Sequence, residues 1–314
     1  MSKISMNTIS RRGLIQAITG AVLVSPLASF NALATAELSW RRRYVDGPFG
    51  QVHLYQAMPA RLEDIRYPPL ACFHPTAVSG DFYRAYMTQM ARDRIVYALD
   101  TPGYGKSDPP PEPTSIERLA ESTAAALEAL GYGAQGGGAV DVMGYHTGVF
   151  IACDLAVQRP DLVRRLVLPG ISYYPEPLRT EKYAEYAKPS PENEEGAYIM
   201  KVWEFWVGQR SDGVSLERGA EHVADMLQAG PRAWWAYHSV FSYDADARLP
   251  LVRQPVLIPN SHGGLADNSR QAAQLFPDAK LIELPHLKHG IFDTAAVELR
   301  SEEHTSELQS PDHL

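Results

Sequence analysis

A histidine lies between two glycines in the segment Gly144-Tyr145-His146-Thr147-Gly148, which follows a short apolar run and precedes a helical stretch. Glycines at these two positions permit a tight turn, and such a turn would present the central side chain above the neighbouring strand. A neutral imidazole can attack an acyl carbonyl directly, or it can take a proton from water. This spacing makes His146 the first candidate for a reacting group.

The elements around this segment follow a regular alternation. Short apolar runs alternate with helical stretches, a pattern typical of a mainly parallel sheet covered by helices. We predict a leading hairpin with its turn at 47–50, and a helix over 115–130 that ends at Gly131. Strands are predicted at 41–47, 51–56, 70–73, 95–99, 140–143, 165–168, 255–258 and 281–284.

Three motifs, in this order, resemble the α/β-hydrolase fold family, and the resemblance covers about residues 41–299. Residues 73–76 (FHPT) follow the third strand, where the family usually has His-Gly. Residues 100–107 (DTPGYGKS) resemble the family's D-x-P-G-x-G-x-S turn. Residues 144–148 resemble its G-x-S-x-G nucleophile elbow, with His146 in place of serine. The resemblance implies a mainly parallel eight-stranded sheet flanked by helices.

The resemblance also implies roles for single residues. The backbone N–H groups of Thr76 and Thr147 correspond to the oxyanion hole, which stabilises negative charge on a carbonyl oxygen. His289 follows the last strand and corresponds to the catalytic base. We therefore expect His146 and His289 to be the catalytic pair.

The family's acid has no obvious counterpart. Its position falls near His262 or Gly263, and neither residue is acidic. Asp267 is the only carboxylate nearby. It could orient His289, or it could cap a helix that starts at Asn268, and we favour the cap.

A metal site is a further alternative. In this fold, His74, His146, His262 and His289 are expected to edge one pocket, and several imidazoles around an open position can hold zinc. A metal-bound water would then be the nucleophile. Because His74 and His289 recur in the family for other reasons, we expect no metal or other cofactor.

An interval at about 171–250 has no predicted strand and is rich in aromatic residues. So long an insertion between strands is usually functional, so we predict a helical lid. Aromatic side chains can line an apolar pocket, although most of these are expected to form the lid's own small core. The expected pocket residues are His74, Tyr145, His262, Trp203, Trp206 and Trp234.

These residues favour a hydrolase that acts on a carboxylic ester, or on a related acyl or C–C bond, of an apolar small molecule. Loss of both serine and acid is also what an inactive, ligand-binding relative would show, and this is the first alternative. A metal-dependent hydrolase is the second. Neither the substrate nor the oligomeric state follows from the sequence.

Charge and composition exclude some other classes of function. The net charge of −8 is spread along the chain without basic blocks, so nothing indicates nucleic-acid binding. After residue 36, no apolar run is long enough to span a membrane. Cys72 and Cys153 each lie in an apolar segment and are predicted to be small buried residues without a disulfide.

The two ends are expected to lie outside the folded domain at 37–299. Residues 1–36 resemble a twin-arginine signal peptide, with Arg11-Arg12, an apolar stretch and Ala34-Thr35-Ala36 as cleavage site. We therefore expect a periplasmic or secreted protein. Residues 300–310 match the translation of a common short-read sequencing adapter, so we interpret 300–314 as an artefact and expect it to be disordered.

Overall fold

The computed structural model describes residues 37–189 and 194–308, with side chains up to residue 303 in the last helix. The predicted signal peptide at 1–36 lies outside the described residues. So do residues 190–193 and the last six positions of the predicted artefact, 309–314.

Eight strands form one sheet in the order β1-β2-β4-β3-β5-β6-β7-β8. The hairpin β1-β2 is antiparallel and joins β4 antiparallel, whereas all the remaining pairs are parallel. Every predicted strand is present, so the predicted fold class is confirmed. The bounds are β1 Leu38–Gly47, β2 Gly50–Pro59, β3 Leu70–Phe73, β4 Val96–Leu99, β5 Val140–Gly144, β6 Val163–Val167, β7 Val256–Ser261 and β8 Ala279–Leu284.

Helices follow most of the strands. The helix predicted at 115–130 is α2, and Ser115 caps it by accepting a hydrogen bond from the Arg118 backbone N–H. The bounds are α1 Arg84–Met90, α2 Ile116–Ala129, α3 Thr147–Gln158, α4 Leu178–Tyr186, α5 Ala197–Trp203, α6 Leu216–Ala229, α7 Trp235–Ser242, α8 Ala245–Arg248, α9 Ala266–Ala273, α10 Ile291–Thr294 and α11 Ala296–Leu308.

The central strand β3 divides the core into two parts. Side chains of a strand point alternately to the two faces of its sheet. Ala71 and Phe73 pack in the cluster that contains α2 and α3, whereas Leu70 and Cys72 pack in the cluster that contains α1 and α10. Burial on both faces explains why this strand is a continuous apolar run. It also holds the carboxyl ends of β3 and β5, where the predicted site lies, in a rigid frame.

The interval between β6 and β7 is helical. Helices α4 to α8 lie in it, and within 171–189 and 194–250 the structure has no strand. Its function as a lid stays a prediction.

The last helix contradicts the predicted disorder from residue 300 onward. α11 continues to Leu308, and Arg300 forms an ion pair with Asp93. The buried Glu303 accepts a hydrogen bond from Tyr86 at 2.6 Å and pairs with Arg94 at 2.9 Å. The expectation is wrong for residues 300–308, because the helix that starts at Ala296 places this carboxylate beside a buried guanidinium.

Both cysteines are buried free thiols, as predicted, and burial raises the pKa of Cys72 and of Cys153. Among the described helices, none combines the length and the apolar character that a membrane span requires.

Candidate active site

The turn between β5 and α3 holds His146 in a strained conformation. Its φ is +52° and its ψ is −113°, a region that residues with a Cβ seldom adopt. Only glycine fits at the two flanking positions, because a Cβ there would clash with the backbone. A Cβ on Gly144 would lie 2.3 Å from the Gly148 carbonyl oxygen, and one on Gly148 would lie 1.9 Å from the Phe73 carbonyl oxygen. The backbone therefore forms a sharp elbow, with an imidazole at its tip.

Two backbone amides beside this elbow are available to a ligand. Neither Thr76 nor Thr147 donates a backbone hydrogen bond to any described residue. Their hydroxyl groups hydrogen-bond to each other, which joins the loop after β3 to the start of α3. Thr147 is the first residue of α3, where the helix dipole favours negative charge. Both predicted oxyanion residues thus lie together, next to His146.

The imidazole of His146 is held in its neutral form. Burial, and to a smaller extent the nearby charge of His289, lower its pKa to about 4. A histidine with this pKa carries a free lone pair at neutral pH, which both nucleophilic attack and general-base catalysis require.

His289 is exposed and makes no hydrogen bond or ion pair with any described residue. Its ring lies against Gly263, the position where the resemblance places the acid. A Cβ on Gly263 would lie 3.2 Å from Nδ1 and 3.1 Å from Cε1 of His289, and 2.8 Å from the Lys288 carbonyl oxygen. A side chain at position 263 would therefore press on the Lys288 carbonyl and on the ring of His289.

The predicted role of Asp267 as a helix cap is wrong. The helix begins at Ala266, its N-cap is Leu265, and no side chain caps it. Asp267 is highly exposed and pairs with Arg270 one turn along α9. It makes no contact with His289, so it does not act as the acid in this structure either. The cause is a helix start two residues earlier than the sequence indicated.

His74 is a structural residue and has no free lone pair. It is buried, its Nδ1–H donates to the Pro75 carbonyl at 2.9 Å, and its Nε2 accepts from the Thr101 backbone N–H at 2.9 Å. Burial lowers its pKa and keeps the ring neutral, as the acceptor role of Nε2 requires. It therefore fixes the loop after β3 to the turn after β4, and the four-histidine metal alternative is contradicted at this position.

His262 is engaged elsewhere as well. Its Nε2 lies 2.8 Å from Oε2 of Glu283 on β8, and that carboxylate also pairs with Arg270. Within 37–189 and 194–308, no group of three or more histidine, cysteine or acidic side chains is arranged to hold a metal ion.

Tyr145 packs beneath the elbow. Its ring stacks on Phe82 at 5.7 Å between centroids, contacts Phe292 at 5.1 Å, and lies 4.3 Å from the ring of His146. The sequence reasoning did not identify Phe82 or Phe292 as site residues. Phe292 is the last residue of the segment 285–292, which carries His289. Its closeness to His289 in sequence was the signal that could have identified it as a site residue.

The predicted tryptophans differ in their surroundings. Trp206 contacts Phe82 at 6.4 Å, and its Nε1–H donates to the sulfur of Met226 on α6. Trp206 therefore reaches the aromatic cluster below the elbow. The side chains of Trp203 and Trp234 make no hydrogen bond or ring contact with any described residue, and Trp203 is exposed. Their place in a pocket stays a prediction.

Comparisons with known proteins agree with this architecture. A family model described as the alpha/beta hydrolase fold matches residues 68–194. A polyketide synthase of Burkholderia thailandensis is 26% identical over 247 residues, which are 73% of this chain but only 11% of that protein. A candidate carbamate hydrolase of Pseudomonas savastanoi pv. phaseolicola is 23% identical, over 67% of this chain and 82% of that protein.

Solved structures superpose over most of both chains. An enol-lactonase from Burkholderia xenovorans LB400 has a TM-score of 0.67 at 16% identity, covering 85% of this chain and 100% of that one. A thermophilic esterase from Thermogutta terrifontis has a TM-score of 0.66 at 16% identity, covering 84% and 98%. At such identity the likeness concerns the fold. Together with the strand order and the elbow between β5 and α3, these matches show that the chain has the α/β-hydrolase fold.

Proposed function

We propose that this protein is a hydrolase of a carboxylic ester, or of a related acyl or C–C bond, in an apolar small molecule. His146 acts at the nucleophile position and His289 exchanges protons. The observation that carries the proposal is the elbow itself. It presents a neutral imidazole beside the unused backbone amides of Thr76 and Thr147.

The chemistry follows from these groups. His146 attacks the acyl carbon, and the carbonyl oxygen gains negative charge that the two amides stabilise. Collapse of this intermediate breaks the bond to the leaving group, which takes a proton, and leaves an acyl-imidazole. Water then attacks the acyl-imidazole, so the acid is released and His146 is restored. In a second route, His146 instead takes a proton from water, and no covalent intermediate forms.

Hydrolase names among the relatives support the reaction class. The similar proteins include an esterase, an enol-lactonase and a candidate carbamate hydrolase. All three reactions pass through attack on an acyl carbon, which is the step that the amides beside His146 would assist.

A second candidate function is ligand binding without turnover. It is favoured by His289, which is exposed and is not oriented by a carboxylate of any described residue. A base without an orienting partner is a weaker catalyst. In this case the elbow would serve as a binding surface.

Export forms part of the proposal. Arg11-Arg12 and the apolar stretch that follows support a twin-arginine signal, with mature protein starting at Glu37 in the periplasm or outside the cell. Replacement of both arginines by lysine would then block export, and N-terminal sequencing of the secreted form would locate the cleavage site.

Turnover of p-nitrophenyl acetate by chelator-treated protein tests the proposal. We expect measurable hydrolysis that His146→Ala removes, because loss of the reacting group typically costs several orders of magnitude in rate. His289→Ala is expected to lower the rate by about 10²- to 10⁴-fold. His286→Ala is the matched control, since this exposed histidine pairs with Glu298 outside the site.

The alternatives give different results. Equal rates for the wild type and His146→Ala would sink the catalytic role of His146. No turnover on a broad ester panel, together with ligand affinity that changes in His146→Ala, would favour the binding protein. Activity that is lost with chelator and restored by zinc would support the metal-dependent hydrolase, although the described side chains form no ready metal site.

A further inference from the structure

A cleft of about 590 Å³ lies at the edge of the sheet formed by β1 and β2. One wall is formed by Trp40, Arg41 and Arg42 of the edge strand β1, and Tyr55 of β2 lies beside them. Asp81, Arg84 and Thr88 also line the cleft. None of these residues belongs to the predicted catalytic site, so the cleft needs an explanation of its own.

The β1 wall carries positive charge that the protein does not neutralise. Arg41 and Arg42 are exposed, and neither forms an ion pair or hydrogen bond with any described residue. Arg84 differs, because it pairs with Asp81 at 2.7 Å and with Glu221 at 3.2 Å. The charge available to a ligand is therefore that of Arg41 and Arg42. In a chain with a net charge of −8, such a local excess favours an anion.

The part of the cleft that Asp81 and Arg84 line is held in place by ion pairs. Asp81 pairs with Arg84 and also with Arg218 of α6 at 2.8 Å, and Arg218 pairs in turn with Glu221 at 2.9 Å. Asp81 and Glu221 are thus satisfied by two arginines, which limits their repulsion of an incoming anion. A wall fixed in this way loses little freedom when a ligand binds, and this lowers the cost of binding.

Two aromatic residues indicate what the anion is attached to. Trp40 is 41% exposed, and an exposed indole face can stack on a flat ring. The hydroxyl of Tyr55 makes no hydrogen bond with any described residue, and burial raises its pKa, so it stays protonated and can donate. Arg42 lies close enough to act on that hydroxyl electrostatically. A donor, a cation and an apolar face thus meet in one cleft.

We propose that this cleft is a binding site for a small organic anion, a carboxylate or phosphate monoester joined to an aromatic or flat apolar group. The anionic group binds the guanidinium group of Arg42 and the hydroxyl of Tyr55, its cross-strand partner, while Arg41 beside them adds positive charge and the ring rests on Trp40. Arg is suited to this role because its planar donors match carboxylate and phosphate oxygens. The site is separate from the elbow and does not depend on the proposed hydrolase activity.

Isothermal titration of the full chain at constant ionic strength tests this site, with phenyl phosphate and benzoate as probes. We expect saturable binding of both probes, and binding of inorganic phosphate or benzyl alcohol that is at least about tenfold weaker. The double change Arg41→Gln and Arg42→Gln is expected to lower the affinity for phenyl phosphate by about tenfold or more. Trp40→Ala is expected to lower it by about fivefold. Arg61→Gln, an exposed arginine that pairs with Asp64, is the control and should stay within about twofold.

Several results would overturn the proposal. Inorganic phosphate that binds as tightly as phenyl phosphate would show that only charge is recognised. Unchanged affinity in the double variant would place the ligand elsewhere. If the protein sediments with phosphatidylglycerol vesicles but binds neither probe, the two arginines bind a lipid surface instead. His146→Ala is expected to leave probe binding unchanged, which separates this test from that of the proposed function.

Discussion

At the scale of single residues, His146 combines two features that each cost folding free energy. Its backbone has a positive φ, and its imidazole is held well below its ordinary pKa by burial. Within the described part of the chain, Ala77 is the only other non-glycine residue with positive φ, and it directly follows Thr76. The strain is thus concentrated at the elbow and at the loop that supplies the second amide.

The pKa of His146 predicts how activity depends on pH. Because the neutral ring reacts, kcat/KM for a neutral ester should stay constant from pH 7 downward and fall only as pH passes through about 4. A profile of initial rates against pH measures this. A loss centred at 6.5, the ordinary histidine value, would contradict the assignment of the reacting group to His146.

The same shift affects stability. The imidazole of His146 has a pKa near 6.5 in the unfolded chain and a pKa of about 4 in the folded protein. The unfolded state therefore binds more protons in this window, and the free energy of unfolding should decrease as pH falls from 6.5 to about 4. Circular dichroism at each pH separates this effect from the loss of the reacting form.

Gly263 provides a second test at this scale. A Cβ there would lie 2.8 Å from the Lys288 carbonyl oxygen and would press on the ring of His289. We expect Gly263→Ala to lower the free energy of unfolding by about 1–3 kcal/mol, and to lower turnover by displacing His289. Gly264→Ala is the matched control, since its Cβ would have nothing within 4 Å. Equal effects in the two variants, measured by urea unfolding and ester hydrolysis, would refute this steric account.

At the scale of elements, helix α6 ties the insertion to the body of the domain. Arg218 donates to Asp81 at 2.8 Å and to Asp293 at 3.0 Å, and it also donates to the Phe82 carbonyl at 3.1 Å. Two turns further on, Asp225 accepts from both the backbone N–H and the hydroxyl of Ser79, close to the oxyanion loop. Charged groups therefore position the helix, in addition to the apolar contacts of Val223 and Ala229.

Arg218 is expected to be the main anchor. In Arg218→Met, Asp81 and Asp293 lose their shared partner, so the free energy of unfolding should fall by about 3 kcal/mol. Hydrogen exchange across α6 should become faster than in the strands. The control is Arg118→Met, because Arg118 is 53% exposed and its ion pair among the described residues is with Glu121 on its own helix. This change should alter the free energy of unfolding by about 0.5 kcal/mol or less. Unchanged exchange in α6 would show that apolar packing holds the helix.

At the scale of the whole molecule, α11 closes the face opposite α2 and α3. Its residue Glu303 reaches Arg94, which also contacts Asp141 on β5 at 3.2 Å. A buried guanidinium thus joins the last helix to a central strand. This contact involves a residue that matches the adapter translation, so the last helix of this chain is part of the fold whatever the origin of its sequence.

Replacement of this carboxylate measures what the contact contributes. Glu303→Ala removes an acceptor of both Arg94 and Tyr86, and we expect it to lower the free energy of unfolding by about 3 kcal/mol. Glu302→Ala, one position earlier and less buried, should change it by about 0.5 kcal/mol or less. Guanidinium unfolding of the two variants makes the comparison. If they unfold alike, α11 contributes little beyond its apolar contacts.

The strands, the main helix and the elbow were predictable because their signals are local. Residues 70–73 form a continuous apolar run, Ser115 caps α2, and Gly144 and Gly148 flank the turn. Each signal depends on periodicity or backbone sterics within a few residues. The loops after β3 and β5 then lie at one edge of the sheet, because parallel strands joined through helices have their carboxyl ends on the same side.

The choice of partners depended on contacts between distant segments, and sequence spacing does not encode it. Asp267 pairs with Arg270 because α9 starts at Ala266, which left His289 without a carboxylate. His74 became structural only because the turn after β4 brings the Thr101 N–H to its Nε2. A side chain's role is set by what the tertiary structure places within about 3 Å of its polar atoms, and this distance is decided by packing across the whole domain.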